Sequence, residues 1–421
     1  MDKREKIRFL LLQLFLVTLL VPANDLASGL ITAALVITCL AEGRFRDKLA
    51  SLRNRRYLWW MLAFFGWLVL SAALSTNRHE ALRYLDPRLP LFIFPLSLGL
   101  VSWTREFQAR VLLGYAVQVT VFMAACLAWA VRQYSVTQDA AWFYNDALTK
   151  LTGQQSIYIS LLVNLAIYVY AYFLFYRPSR YKGWYLLASL FLFAMSYLLA
   201  SRNLMAVLYL SVAGFIVYYL VRGKKYLEGA TLLLGALLGL FIIYKFFPKT
   251  LNRFRELTYT QYNYRHEGLE SHYNMTVTAD QWNGANFRLA AWKCGWELFQ
   301  AHPLMGVHLG DKKEVLFDKY REKDFRFALE TKKNLHNNYL DILVAMGLPG
   351  LLLFLAGWVV LPIRQCWRQR NYLALLIAAT FYVAMVTEIY FDRSIGGMLF
   401  GFFIPFLLSS GETPETGGPA D

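Results

Sequence analysis

The sequence predicts an all-α polytopic membrane protein. It is 57% hydrophobic and 17% aromatic but only 17% charged, whereas about 25% of the residues of a soluble domain are charged. Uncharged runs of roughly 16 to 22 residues recur, and each is long enough to cross a hydrocarbon core of about 30 Å as a helix. We expect about twelve spans, at 8–23, 25–41, 57–75, 89–103, 110–131, 156–176, 183–199, 203–220, 227–247, 338–361, 372–390 and 394–409.

The basic residues predict how these spans are oriented. With the amino terminus inside, the cytoplasmic segments hold about 21 Lys and Arg and the short outer loops about seven. Positive charge in short loops is retained on the cytoplasmic side, so both termini are expected to be cytoplasmic. The same asymmetry explains the net charge of +15. These cations face anionic membrane lipids, and no nucleic-acid partner is expected.

The predicted spans divide the chain into four parts. Residues 1–247 hold transmembrane helices 1–9, residues 248–337 form a large outer loop domain, and residues 338–409 hold transmembrane helices 10–12. Residues 410–421 are polar and rich in Pro and Gly, so this tail is expected to be disordered and cytoplasmic.

The large outer loop is expected to be helical. Its apolar side chains recur at three- and four-residue spacing, which indicates an amphipathic helix that lies on the bilayer or caps the bundle; they are Leu289, Trp292, Trp296 and Phe299. A second helix is expected around 312–331. Only Cys294 of the four cysteines falls in this loop, so neither a disulfide framework nor a zinc site is expected.

Ionisable residues avoid the middle of every predicted span and gather at the outer ends. Asp341 and Glu388 lie near outer ends, where we expect structural roles, and Arg202 lies in a minimal outer turn. A transporter coupled to an ion normally places binding groups near the bilayer midplane. The distribution therefore predicts a site that faces outward.

The most distinctive local feature is His336-Asn337-Asn338 at the start of an apolar helix. Asn is a good helix cap. The positive end of a helix dipole disfavours an imidazolium, and a neutral imidazole can act as a general base. The same helix end favours a nearby phosphate. Taken alone, His336 reads more readily as an interfacial histidine at a loop boundary than as a base.

Several arginines on the outer side leave two readings open. Arg202 and Arg288 are either anchors in lipid headgroups or ligands of a substrate phosphate, since guanidinium binds phosphate oxygens through two hydrogen bonds. Arg78, Arg83 and Arg88 in the outer loop 76–88 pose the same choice.

Three blocks of residues together resemble the O-antigen ligase and polymerase family. That family shares the pattern His-Asn, nine residues, Gly, two residues, Gly. The blocks here are His336-Asn337 with Gly347 and Gly350; Arg288, Trp292, His302-Pro303 and Gly306; and Ser201-Arg202. The resemblance extends over most of residues 196–360. His308 departs from it, because the family usually has a glycine there, so the turn at 306–310 is expected to differ and His302 to be structural.

The resemblance implies a metal-independent glycosyltransferase without a cofactor, with a fold related to membrane glycosyltransferases that use polyprenyl-linked donors. The donor would be O-antigen polysaccharide on undecaprenyl diphosphate. The acceptor would be a sugar hydroxyl of lipid A–core at the periplasmic face of a bacterial inner membrane. His336 would be the general base of an inverting transfer, with Arg202, Arg288 and Asn337 binding substrate and Arg78, Arg83 and Arg88 contacting acceptor phosphates.

Three alternatives share these features. An O-antigen polymerase joins two lipid-linked glycans, but usually divides its outer residues between two sizeable loops, whereas the second outer loop here, 132–155, is short. A protein O-oligosaccharyltransferase would differ only in its acceptor. A lipid-linked glycan flippase would need a polar path through the midplane, which the charge-free spans do not offer.

Overall fold

The computed structural model describes residues 2–21, 25–221, 258–266, 270 and 281–410, with a few positions between 226 and 245. This part of the chain is helical almost throughout and contains no β-strand, only the isolated bridges Trp103–Ser410 and Glu270–Trp282. The all-α prediction is confirmed for these residues. The predicted span 227–247, much of 248–280 and the tail from 411 lie outside the described residues.

The helices of the amino-terminal half are α1 (Lys3–Leu20), α2 (Asp25–Ala41), α3 (Phe45–Asn54), α4 (Arg56–Leu74), α5 (Arg78–Leu85), α6 (Pro90–Ser97), α7 (Arg105–Thr137), α8 (Asn145–Leu148), α9 (Ser156–Tyr176), α10 (Lys182–Leu199) and α11 (Arg202–Val221). Those of the carboxy-terminal half are α12 (Gly284–Ala301), α13 (Lys312–Glu322), α14 (Arg326–Glu330), α15 (Asn338–Phe354), α16 (Leu361–Arg368), α17 (Tyr372–Ala384) and α18 (Ser394–Leu408). A π-helical turn, Leu355–Val360, joins α15 to α16.

Length and composition qualify several helices as membrane spans. Among the described residues, five are long and apolar enough, or six if the bent pair α2–α3 counts as one span. The apolar segments at Arg202–Tyr218, Tyr372–Ala384 and Ser394–Leu408 are shorter. These helices make the chain a membrane protein, and the figure of twelve spans stays a prediction.

Prolines alter two of the predicted segments. The predicted span 89–103 is an eight-residue helix, α6, followed by a 3-10 turn at Leu98–Leu100, with Pro90 at its start and Pro95 inside it. The predicted loop 76–88 is also helical, because α5 is followed by a 3-10 turn that contains Pro87. Proline has no N–H and cannot continue a regular helical ladder. The chain therefore remains helical here, but with bends.

The described part of the large loop has a hydrophobic core of its own. Trp282 stacks on Phe327 at 5.3 Å between ring centroids and lies 5.0 Å from Phe325. Val344 of α15 and Ile389 of the turn before α18 join this cluster. Such aromatic pairs stabilise beyond their buried area. The loop core is thereby fixed to the two segments that carry His336 and Glu388.

The amphipathic helix expected in the loop is α12, and part of its apolar stripe is exposed. Leu289 is 39% exposed and Trp296 50% exposed, while Ala290 and Cys294 on the opposite side are buried. Phe287 and Leu298 of this helix are buried as well, so α12 packs through one face and leaves Leu289 and Trp296 exposed. The buried face packs against α15, as expected of a helix that caps the bundle, and the exposed side chains are suited to contact with the bilayer.

The glycines of the predicted motifs mark a close crossing of two backbones. Gly306 and Gly347 have φ of +68° and +65°, which L side chains rarely adopt. A Cβ on Gly306 would lie 2.5 Å from the Ala345 carbonyl carbon, and one on Gly347 would collide with the Leu304 backbone. The crossing is closed by a 2.8 Å hydrogen bond from the Leu348 N–H to the Pro303 carbonyl. The glycine spacing thus has a structural cause.

The departure at His308 leaves the backbone of the turn in a glycine-like conformation. His308 has φ of +70°, so the histidine occupies a conformation that glycine adopts without strain. The turn is anchored on α4, because the N–H groups of Leu309 and Gly310 donate to Ser71 and Ser75 at 3.0 and 2.9 Å. The imidazole of His302 is exposed at the end of α12.

Candidate active site

His336 is held in a defined place by the segments on either side of it. Its N–H donates to the Asn334 side chain at 3.0 Å, and the preceding carbonyl, that of Leu335, accepts the Trp292 indole N–H at 2.9 Å. His336 itself has φ of +46°, a strained value of the kind that gathers at functional sites. Asn337 then caps α15, its side chain accepting the Leu340 N–H at 3.0 Å.

The imidazole of His336 is paired with the carboxylate of Glu388. His336 Nδ1 lies 3.0 Å from Glu388 Oε2, and the two side chains are 24% and 17% exposed. The Phe287 ring stands edge-on to the imidazole at 5.8 Å. Because Glu388 occupies Nδ1, Nε2 is the nitrogen that remains to exchange a proton with a substrate, as when an acidic residue orients a catalytic histidine.

The carboxylate of Glu388 is suited to stabilise a positive charge on the imidazole of His336. Burial alone would raise its pKa, but the hydrogen bond with His336 and the charges of His336 and Arg288 outweigh burial and lower the pKa below its ordinary value. The carboxylate is therefore ionised at neutral pH. The ionised carboxylate stabilises the folded protein fully at pH values above the pKa that Glu388 has in the unfolded chain. This stabilisation is lost as the pH falls through the lower pKa that Glu388 has in the folded protein.

The guanidinium groups of Arg202 and Arg288 lie close together beside the His336–Glu388 pair. Both are next to Gly284, the first residue of α12. Arg288 Nη1 donates to the Gly284 carbonyl at 2.7 Å, and its Nε donates to the Thr387 carbonyl at 3.2 Å. A Cβ on Gly284 would lie 2.9 Å from Arg288 Nη1 and would collide with the guanidinium of Arg202. The amino terminus of α12 adds the positive end of its dipole. This arrangement favours a phosphate or diphosphate.

The turn between α17 and α18 brings these groups together. Asn203, next to Arg202, donates to Thr387 Oγ1 at 2.8 Å and to the Val383 carbonyl at 2.9 Å. The Asn338 N–H, at the start of α15, donates to the Met385 carbonyl at 2.9 Å. Three predicted residues that are distant in sequence, His336, Arg202 and Arg288, thus share one anchor at 383–388.

Sequence reasoning did not assign Glu388 and Thr387 to the site. Glu388 was expected to be structural, and the structure instead places its carboxylate on His336. Its position at the outer end of an otherwise uncharged span was the one available signal, and nothing local connects it to a histidine 52 positions earlier in the chain.

Replacing Glu388 by Gln tests whether the carboxylate positions His336. We expect glycan transfer to fall about 10²-fold, less than on removal of the imidazole itself, because the ring stays but loses its oriented partner. Rates measured from pH 5 to 9 check this loss. Glu330→Gln, which removes an exposed acid, is the control, and unchanged rates in Glu388→Gln would contradict the assignment.

The arginines of segment 76–88 do not share one environment. Arg78 and Arg83 are exposed on α5, and Arg83 pairs with Glu80 at 3.2 Å. Arg88 is only 3% exposed, and its guanidinium lies 2.8 Å from Asp392. Burial in an ion pair opposes the phosphate contact expected for Arg88, whose guanidinium is already held by Asp392.

Arg88 belongs to a buried group of two cations and two carboxylates. Lys312 Nζ lies 2.7 Å from both Asp341 and Asp392, and Arg88 lies 3.5 Å from Asp341. Burial opposes ionisation of Asp392, but Lys312 and Arg88 outweigh it and lower its pKa. The group joins α13 of the loop to α15 and to the segment before α18. The group therefore holds together the segments next to the candidate site, since α15 begins just after His336 and the segment before α18 follows Glu388.

Replacing Lys312 by Met should destabilise the protein strongly. The substitution leaves two buried carboxylates facing one cation, and breaking a buried ion pair from one side typically costs about 3–5 kcal/mol. Unfolding of the purified protein in detergent measures the loss. Lys313→Met is the matched control, because Lys313 is exposed and should change stability by no more than about 0.5 kcal/mol. Equal stability of the two variants would contradict a supporting role.

The fold and the site together define an all-helical membrane protein with a histidine–carboxylate pair beside an arginine pair. Residues 187–355 match the family model described as O-antigen ligase. The match covers somewhat less than half of the chain, and it confirms the resemblance noted in the sequence. A match to this family supports glycosyl transfer in general. No curated protein matches the chain significantly.

Proposed function

We propose that this protein is an O-antigen ligase, which transfers O-antigen polysaccharide from undecaprenyl diphosphate to a sugar hydroxyl of lipid A–core. The observation that carries the proposal is the arrangement around Thr387 and Glu388. There the imidazole of His336, held by a carboxylate, adjoins the guanidinium groups of Arg202 and Arg288. A base beside an anion site is what attack of a hydroxyl on a glycosyl diphosphate requires.

In the proposed reaction the acceptor hydroxyl oxygen attacks the anomeric carbon of the donor sugar. The bond from that carbon to the diphosphate oxygen breaks, and its electron pair leaves with undecaprenyl diphosphate. His336 Nε2 takes the hydroxyl proton, Glu388 stabilises the imidazolium, and the proton passes to solvent. Direct displacement inverts the anomeric centre. The reaction has no step that calls for a metal ion.

The arginines act on the leaving group. A diphosphate gains negative charge as the glycosidic bond breaks, so cations placed beside it stabilise the transition state more than the ground state. Arg202 and Arg288 take this role because their guanidinium groups meet at Gly284. The exposed Arg78 and Arg83 are proposed to contact phosphates of the acceptor. The exposed side of the segment that holds Asn337 is proposed to contact a sugar.

The proposal includes the predicted topology. Both termini lie in the cytoplasm of a bacterium, the inner membrane holds spans at 1–247 and 338–409, and residues 248–337 form a periplasmic domain. The separate hydrophobic core of the described loop residues supports this division. The polar groups of the site then lie at the periplasmic end of the bundle, where both amphiphilic substrates are exposed.

Transfer to three different acceptors distinguishes a ligase from a polymerase and from an O-oligosaccharyltransferase. Purified protein is given undecaprenyl diphosphate-linked O-antigen together with lipid A–core, with a second donor molecule, or with a folded periplasmic protein. We expect glycan on lipid A–core. Joining of two donors alone would indicate a polymerase, and glycan on protein alone an O-oligosaccharyltransferase.

A cysteine-accessibility scan tests the flippase alternative. The four native cysteines are all buried and are first replaced by Ser or Ala. Single cysteines are then placed along α4 and α9 and labelled from either side of the membrane. An outward-facing transferase should react near the outer helix ends and from that side only. Labelling of mid-span positions from both sides would support a flippase.

A further inference from the structure

A second surface, which combines apolar and basic side chains, lies at the far end of the helix that begins beside His336. The helical stretch Asn338–Arg368 runs for 31 residues. Its last turns form an open groove of about 550 Å³ lined by Val360, Ile363, Arg364, Trp367 and Arg368. These positions follow the i, i+3, i+4, i+7, i+8 spacing of one helix face.

The face changes character along its length. Val360 is 57% exposed and Ile363 37%, so its first part is apolar and uncovered, and Trp367 is 66% exposed further on. Arg364 and Arg368, one turn apart, are exposed and form no ion pair within the described part of the chain. A purely lipid-facing surface would lack the arginines, and a purely aqueous one would lack the apolar side chains.

We infer that this face binds one anionic phospholipid, with its phosphate between Arg364 and Arg368 and an acyl chain along Val360, Ile363 and Trp367. Guanidinium groups hold phosphate oxygens through paired hydrogen bonds. Basic residues beside a membrane span attract anionic headgroups, and Trp favours the boundary between hydrocarbon and water. Arg368, in the last turn, also complements the helix dipole.

The turn above this face supports a binding role. Leu355–Val360 is π-helical, and such turns occur often at functional sites. Within it Gly357 packs against α4 so closely that a Cβ would lie 2.7 Å from the Trp60 carbonyl carbon. The π turn is therefore fixed to the bundle on one side, while Val360 and the residues after it face outward. The groove is distant in sequence from the Arg202 and Arg288 pair.

Native mass spectrometry of the purified full chain in micelles doped with phosphatidylglycerol or phosphatidylethanolamine tests the inference. We expect one phosphatidylglycerol to be retained selectively. Arg364→Gln/Arg368→Gln should weaken its binding about 30-fold, from the contribution of two basic residues near an anionic surface. The matched control is Arg46→Gln/Arg53→Gln, which removes two exposed arginines of α3 and should change binding less than about threefold.

The outcomes that overturn the inference are equal weakening in both double variants, which would indicate unspecific attraction, and equal retention of the two lipids by the wild type. Trp367→Ala leaves the charge unchanged and removes an exposed side chain, so it should fold. It should weaken phosphatidylglycerol binding severalfold, and unchanged binding would contradict the acyl contact. These measurements do not depend on glycan transfer.

Discussion

His336→Ala should lower the rate of glycan transfer by about 10²–10⁴-fold, the range typical for loss of a general base. The substitution removes Nε2, which receives the acceptor proton, and leaves Glu388 without its partner at 3.0 Å. The loss should appear in kcat, because the base acts on the reacting hydroxyl and makes little contribution to donor binding. Steady-state transfer with purified protein and separate variation of donor and acceptor measures it.

The control for this prediction is His302→Ala. Its imidazole is exposed at the end of α12, and we assign it no part in the reaction. The variant should keep the wild-type rate within about threefold, as expected of a surface substitution. Full activity of His336→Ala at a normal protein level would remove the general base from the mechanism, whatever His302→Ala shows.

Arg202→Ala and Arg288→Ala should each lower the rate by about 10²–10³-fold, or roughly 3–4 kcal/mol of transition-state stabilisation. Both guanidinium groups meet at Gly284, where the leaving diphosphate would develop charge. Replacement by Lys should restore only part of the activity, because an ammonium keeps the charge but not the planar fork of donors. Transfer rates at saturating donor check this expectation.

The double variant provides a second test of the arginine pair. If both side chains act on one diphosphate, the losses should not add, and a double-mutant cycle should show coupling of about 0.5–3 kcal/mol. Arg265→Ala is the control, because Arg265 is 79% exposed and pairs with Asp324 at 3.7 Å. Strictly additive losses would place the two arginines at separate sites.

The sequence offers His336, Arg202 and Arg288 as candidates because each is marked locally. His336 precedes an apolar helix, Arg202 occupies a minimal turn, and Arg288 lies on the predicted amphipathic helix. Their proximity was not predictable from spacing, since it depends on the turn at 383–388. The contact between Glu388 and His336 was not predictable for the same reason, because it forms only when α17 returns beside α15.

Arg88 shows the opposite error. It lies in a basic segment that reads as an outer surface, yet three residues from other segments, Lys312, Asp341 and Asp392, bury it. Such a charge-balanced group forms only after folding, and neither hydropathy nor loop charge indicates it. The ends of the helices between 76 and 103 were also not predicted. Pro87, Pro90 and Pro95 bend this segment while it remains helical, and uncharged runs alone do not indicate such bends.

The most direct test of the account is single-turnover transfer by the purified wild-type protein with a chelator present. The substrates are undecaprenyl diphosphate-linked O-antigen and lipid A–core, and the product is analysed for glycan and for the configuration of the new linkage. The account predicts chelator-resistant ligation with inversion at the anomeric carbon. Absence of ligated product from folded protein, or retention of configuration, would contradict it.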